Sequence, residues 1–423
     1  MVSDDMKNKV FNLIDEKKRD LFELLSSFVK IDSVNFKTHG NEEELARYIY
    51  NICSELELES DIYSPLEIEG FENHPDYMPG RGLENRYNVT ARWKGSEDVD
   101  ELMIMGHTDT VEIGDISNWA KNPLSGEISD GKIWGRGASD DKYALATVIF
   151  LIKLLKEQGF VPKRNILFSA YVDEERGGSH GALAAVLKYP CPRIVNMDCG
   201  EDQIWHCASG GQGIYYEFHT KDTVDNAQIS ANALPIVLEE FGKFGDRRSK
   251  ELSENRFYKG TIIPETALRY MDIHIGNDGR DLGTGKLSLT FYTDKTKDEI
   301  EAEYRELETV LKERLAPMGI VGGKITPRTR FFHYVYCEPD SEDIKAMLDA
   351  SIEATGKAPA VCGSCLSDLS VISKYGSSEA YGFGMGRDFS LPGGSHQPNE
   401  NIECDKFVEF TKTIAAYIIN TMT

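Results

Sequence analysis

No uncharged apolar run in this chain approaches the ~18 residues needed to cross a bilayer as a helix, so no membrane-spanning helix is expected. The basic excess of a nucleic-acid binder is also missing. Lys and Arg number 47 against 70 Asp and Glu, a formal charge of −23 at pH 7. An acidic surface of that size repels nucleic acid and anionic membranes. The first residues, Met1 to Asp20, carry charges throughout and lack an apolar core, so no secretory signal is expected in them. The eight cysteines are scattered along a long chain, which fits reduced thiols in a cytoplasm rather than a disulfide framework. Cys362 and Cys365 form a single C-x-x-C without a second pair at zinc-finger spacing, and read as ordinary thiols near a loop. Internal repeats and low-complexity tracts are absent.

What is present is a globular composition, 40% hydrophobic and 28% charged, over 423 residues. That length exceeds one ordinary core, so two domains are expected. Phe11, Ile14, Leu21, Leu24, Leu25 and Phe28 fall at helical spacing, and a second helical run follows from Glu42 to Leu58. The polar stretch His74 to Asn88, rich in Gly, Pro and Asn, reads as loop. Strand-like and helix-like segments then alternate: Leu102 to Met105, Tyr143 to Leu155, Asn165 to Val172, Gly181 to Lys188 and Arg193 to Met197. Such alternation predicts an α/β layer with a mostly parallel sheet. From Gly213 the style changes. An edge-type strand (Gly213 to Thr220), a helix (Ala231 to Lys243), a strand (Leu287 to Thr293) and a long helix (Lys297 to Leu315) suggest a smaller α/β sandwich. The last part returns to the first style. The expected division is therefore a catalytic domain over 1–208 and 336–423, with an inserted lid or dimerisation domain over 209–335.

Chemistry-bearing residues collect at the strand ends. His107 and Asp109 follow an apolar strand, and the two-residue side-chain period points both the same way. That suits a histidine ligand oriented by a carboxylate, and equally a structural pair. Asp140 and Asp141 lie between a glycine-rich turn and a helix start, which suits an N-cap or a carboxylate shared by two metal ions. Asp173, Glu174 and Glu175 end the next strand, where successive carboxylates repel unless solvated or met by cations. Open α/β sheets bind ligands at such ends. Asp198 ends a further strand, and His396 sits in a loop too rich in Gly and Pro for helix or strand. Nitrogen and oxygen donors in this set suit zinc.

The motifs G-H-x-D-x-V, G-R-G-x-x-D-x-K, D-E-E, a strand-end acid and G-x-x-H-x-P-N-E, in that order, resemble a family of zinc peptidases and deacylases. It includes acetylornithine deacetylase, succinyl-diaminopimelate desuccinylase, aminoacylase, carboxypeptidase G and carnosinase-type dipeptidases. The likeness spans about residues 85–205 and 360–410. It implies a di-zinc exopeptidase-like catalytic domain and hydrolysis of an amide bond in a small peptide or an N-acyl amino acid. It further implies two Zn2+ ions, with Co2+ or Mn2+ able to substitute. His107, Asp140 and Asp198 would hold one ion, and Asp140, Glu175 and His396 the other. Asp109 would orient His107, and Glu174 would be the general base that activates the metal-bridging water. The Asp140–Asp141 peptide would be cis, and a homodimer would form through the inserted domain.

The inserted domain departs from the pattern. Where relatives usually carry a histidine that stabilises the oxyanion, this chain places Asp225, Asn226 or Ala227, and Asn226 can donate a hydrogen bond without charge. The family's carboxylate-binding arginine has Tyr292 near its place, and Arg280 in the loop Gly276–Gly285 is the candidate substitute. These departures keep a second reading open, a metal-retaining peptide or amino-acid binder with little turnover. A single structural Ca2+ or Mg2+ is disfavoured by the two histidines, since those ions prefer oxygen shells.

Overall fold

The computed structural model describes residues 2–221, 226–277 and 283–423. The chain forms two compact units, Met1–His206 with Tyr336–Cys362 and Val371–Thr423, and Cys207–Val335 with Gly363–Ser370.

In the first unit, part of a nine-stranded sheet runs in the order Glu59–Tyr63, Asn88–Trp93, Asn165–Tyr171, Asp100–His107, Arg193–Glu201, Ala380–Gly384. The middle strands are parallel: Asp100–His107 pairs in parallel with both neighbours, and Ala380–Gly384 with Arg193–Glu201. Every residue of Asn165–Tyr171, parallel to Asp100–His107 and antiparallel to Asn88–Trp93, is buried, the mark of a strand covered on both faces. Helix Lys142–Glu157 is apolar nearly all round and buried accordingly. It packs against helix Val2–Val29, which also meets helix Cys404–Thr421. Among the described residues no helix is long and apolar enough to cross a membrane. All eight cysteines are free thiols.

Register positions the chemistry. His107 pairs with Tyr171, so the chain leaving that neighbour reaches Glu174 and Glu175 just beyond His107. Met105 pairs with Asn196, so two residues further along both strands His107 and Asp198 stand at one level. With a period of two, both point as their predecessors do.

The second unit is an antiparallel four-stranded sheet in the order Leu268–Asn277, Gly283–Thr293, Gly210–Thr220, Ile320–Pro327. Ile214, Tyr216 and Phe218 alternate with more exposed residues and share a core with Leu287, Leu289 and Phe291 and with residues of helices Ala227–Glu254 and Lys297–Leu315. Thr296 caps the latter helix in a reciprocal box with Glu299. Two expectations are corrected here. Gly210–Thr220 is an interior strand, paired on both sides. Its alternation looked edge-like because only one face is buried. Gly363–Ser370, expected with the C-terminal catalytic part, belongs to the second unit. There the carbonyl of Ser364 accepts from Ser209 and from the Tyr258 hydroxyl, and Ser370 Oγ accepts from the His333 amide.

Candidate metal centre

His107 closes its strand with no exposed surface. Its Nε2 is 3.0 Å from Oδ1 of Asp140. Its Nδ1 lies 2.9 Å from the main-chain oxygen of Asp109 and 3.6 Å from the Asp109 carboxylate. The carboxylate itself has other short contacts. Oδ1 accepts the Glu174 amide at 3.1 Å, and Oδ2 accepts the Glu175 amide at 3.0 Å and Nδ2 of Asn35 at 2.8 Å. Asp109 thus ties the strand end that carries His107 to the turn that carries both glutamates. Burial lowers the His107 imidazole, but the Asp140 and Asp109 carboxylates push it well above its ordinary value.

Asp140 is 9% exposed and follows the turn from Gly135, where Gly137 takes φ +87° and a Cβ would meet Lys142. The Asp140–Asp141 peptide is cis. Asp141 occupies the N-cap of the following helix without a side-chain capping bond. Its Oδ2 instead accepts the His107 amide at 3.2 Å, and burial raises this carboxyl well above its usual range. The turn is held from the far motif. Glu400 accepts from the amides of Gly137 and Ser139 at 3.0 and 2.9 Å and pairs with Arg136 at 2.5 Å. Lys142 is also enclosed, donating to the carbonyls of Phe28 and Ile31 at 3.0 and 2.8 Å.

His396 has φ +63°, and its Nε2 stands 3.2 Å from Oδ2 of Asp140 and 2.7 Å from Oε2 of Glu175. Burial lowers this imidazole, and the Glu175 and Asp140 carboxylates more than reverse that, to about 11. Glu175 Oε1 accepts the Val111 amide at 3.2 Å, and burial pushes its carboxyl up. Two donor groups with atoms within 4.8 Å of one another share His107: one adds Glu174 and Asp198, the other Asp140 and Glu175. The residues named from the motifs therefore converge in the first unit. Asn226 instead lies in the second unit, 2% exposed at the N-cap of helix Ala227–Glu254, with Nδ2 unpaired among the described residues. Arg280 falls outside the described residues.

Sequence reasoning missed the supports of this centre: Asn35, Glu42, Arg81, Arg86 and His180, besides the structural part of Asp173. Arg81 and Arg86 lie in a stretch read only as loop, and their partner Asp173 is 92 and 87 residues away. The glycine-rich run after Glu175 held one clue, since close passage over a buried group needs a residue without Cβ.

Clustered carboxylates and imidazoles at the carboxyl ends of parallel strands fit a metal-dependent hydrolase. The model of Peptidase family M20/M25/M40 matches residues 103–420, and the chain belongs to that family of metallohydrolases. It is similar to a probable carboxypeptidase S-like protein of Dictyostelium discoideum, 39% identical over 98 residues, which are 23% of this chain and 19% of that one. An uncharacterized metallohydrolase of Methanocaldococcus jannaschii is 25% identical over 427 residues, covering 93% of this chain and 97% of the relative. Among solved structures, the di-peptidase Dug1p of Saccharomyces cerevisiae aligns with a TM-score of 0.72 at 14% identity, over 98% of each chain.

Proposed function

We propose that this chain is a co-catalytic two-zinc hydrolase that cuts an amide bond in a small peptide or an N-acyl amino acid. The observation that carries the reading is the double attachment of Asp140, with one oxygen 3.0 Å from His107 and the other 3.2 Å from His396. A carboxylate that gives one oxygen to each of two imidazoles has the disposition of a ligand shared by two ions. The donor set fits such ions. Asp140, Glu174, Glu175 and Asp198, buried or half-buried, gather about two imidazoles, and so much negative charge drawn out of water calls for cations. Mixed nitrogen and oxygen donors suit zinc. His107, Asp140 and Asp198 would hold one ion, and Asp140, Glu175 and His396 the other.

When bound, two such ions lower the pKa of water towards neutrality and polarise a scissile carbonyl. Glu174, among these donors with its amide fixed by Asp109, takes the proton from the attacking water and delivers it to the leaving amine. The carboxypeptidase and di-peptidase names among similar proteins support an amide substrate. A homodimer through the second unit completes the proposal. Its support is the border strand Leu268–Asn277, which exposes Tyr270, Met271 and Ile273 at 41, 59 and 40%.

The test is a hydrolysis screen of zinc- or cobalt-loaded protein over dipeptides and N-acetyl, N-succinyl and N-carbamoyl amino acids, with chelator as control. Chelator-sensitive release of an amine is expected. Silence across the panel with two ions bound per chain would instead support the metal-retaining binder.

A further inference from the structure

Behind the turn that carries Glu174 and Glu175 lies a set of charges for which the reaction above has no task. Asp173 has φ +65° and no exposed side-chain surface. Arg81 brings both Nε and Nη2 to its carboxylate. Arg86 adds Nη1 at 3.1 Å, His180 Nδ1 stands 2.6 Å from Oδ2, and Nδ2 of Asn35 donates to Oδ1 at 3.2 Å. The remaining fork of Arg86 goes to Glu42. Both guanidinium side chains are fully enclosed, and Nη1 of Arg81 has no hydrogen-bond partner among the described residues. Arg81 is therefore committed to one carboxylate.

Enclosing ions this way costs several kcal/mol per ion before the attraction is counted, and well-packed apolar side chains often stabilise a fold better. Two features connect the cluster to the reacting residues. Asn35 uses one nitrogen for Asp173 and for Asp109, whose oxygens hold the Glu174 and Glu175 amides. The chain also passes directly over the ion pair, since a Cβ on Gly178 would lie 1.9 Å from Oδ2 of Asp173 and 2.8 Å from Nε of Arg81. The turn is gripped on one side by Asp109 and on the other by the loop that carries Arg81 and Arg86.

We propose that Arg81 and Arg86 are positioning residues, fixing Asp173 and through it the turn that aims Glu174. This rests on the reading of Glu174 as the base. A lysine at position 81 keeps the positive charge but cannot make the two-nitrogen contact. A misplacement of about 1 Å in a reacting group costs on the order of 100-fold in rate.

The experiment compares parent and Arg81→Lys by backbone hydrogen exchange of the metal-free protein, and by turnover of the zinc-loaded protein on its best substrate from the panel above. Exchange over residues 172–177 should quicken at least ~10-fold while the strand Asn165–Tyr171 keeps its protection. The value of kcat should fall ~10–100-fold with KM within about twofold and two ions still bound. Unchanged exchange over 172–177, or equal quickening in the strand, overturns the proposal, as does full turnover. Should lysine prevent folding, Arg86→Lys carries the same comparison. A Glu174→Gln variant run alongside keeps the two ideas apart. If it turns over fully, the assignment of the base fails whatever the exchange shows.

Discussion

Consider Asp109→Asn, which removes a charge and leaves the shape. Three N–H donors converge on the carboxylate, the amides of Glu174 and Glu175 and Nδ2 of Asn35, at 3.1, 3.0 and 2.8 Å. An asparagine offers one oxygen and one NH2. With its oxygen towards Glu175 and Asn35, it still meets the Glu174 amide with another donor. One buried donor is then stranded, at about 1–3 kcal/mol, and the two surviving bonds lose charge assistance worth roughly 1 kcal/mol each. The opposite orientation strands two donors. Removing one negative charge from a crowded acidic site offsets part of the loss, so the net expectation is about 2–4 kcal/mol of stability in the metal-free protein. Against a typical total of about 5–15 kcal/mol, a urea titration would show this plainly. Because Asp109 also supports His107 and Glu175, zinc affinity measured by chelator competition should drop ~10–100-fold. An unchanged urea midpoint together with unchanged zinc affinity would refute the reasoning, because the three hydrogen bonds would then hold nothing.

Glu174→Gln should retain both ions and lose ~10²–10⁴-fold in kcat, and metal analysis beside single-turnover rates checks it. His396→Ala withdraws the nitrogen that faces Asp140 and Glu175, so about one ion per chain should be lost on dialysis; two retained ions would remove His396 from the ligand set. In the second unit, burial and the adjacent Asp294 push the Glu251 carboxyl up to about 7 from its ordinary 4.5. The folded state therefore keeps a proton that the unfolded chain releases, and stability falls as pH rises from 4.5 to about 7. Glu251→Gln should raise the unfolding midpoint relative to the parent at pH 8 and not at pH 5, and an equal shift at both would count against this.

Much of the architecture could be read from local pattern. Lys297–Leu315 and the all-buried Asn165–Tyr171 announce themselves by period and by continuous apolarity, both consequences of one face or two being covered. The border strand Leu268–Asn277 could not be read this way. Residues 269–274 are exposed on both faces, so no alternation betrays the strand. The centre divides similarly. His107, Asp140, Glu174, Glu175, Asp198 and His396 stand in short motifs at strand ends and loops, where chemistry-bearing residues leave a trace. Arg81, Arg86 and Asn35 leave none, being single polar residues in unremarkable stretches.

From the residues alone follow the α/β class, the donor types and the strand ends that bear them, because each depends on a few neighbouring positions and the periodicity of the backbone. Only the tertiary structure decided that Asp140 turns one oxygen to each histidine, that the Asp109 carboxylate serves two backbone amides while its carbonyl meets His107, and that two buried arginines secure Asp173. Those contacts join segments as far apart in sequence as Asp140 and His396. No local interaction prefers them until the sheet register has brought the strand ends together and burial has made every unpaired charge costly.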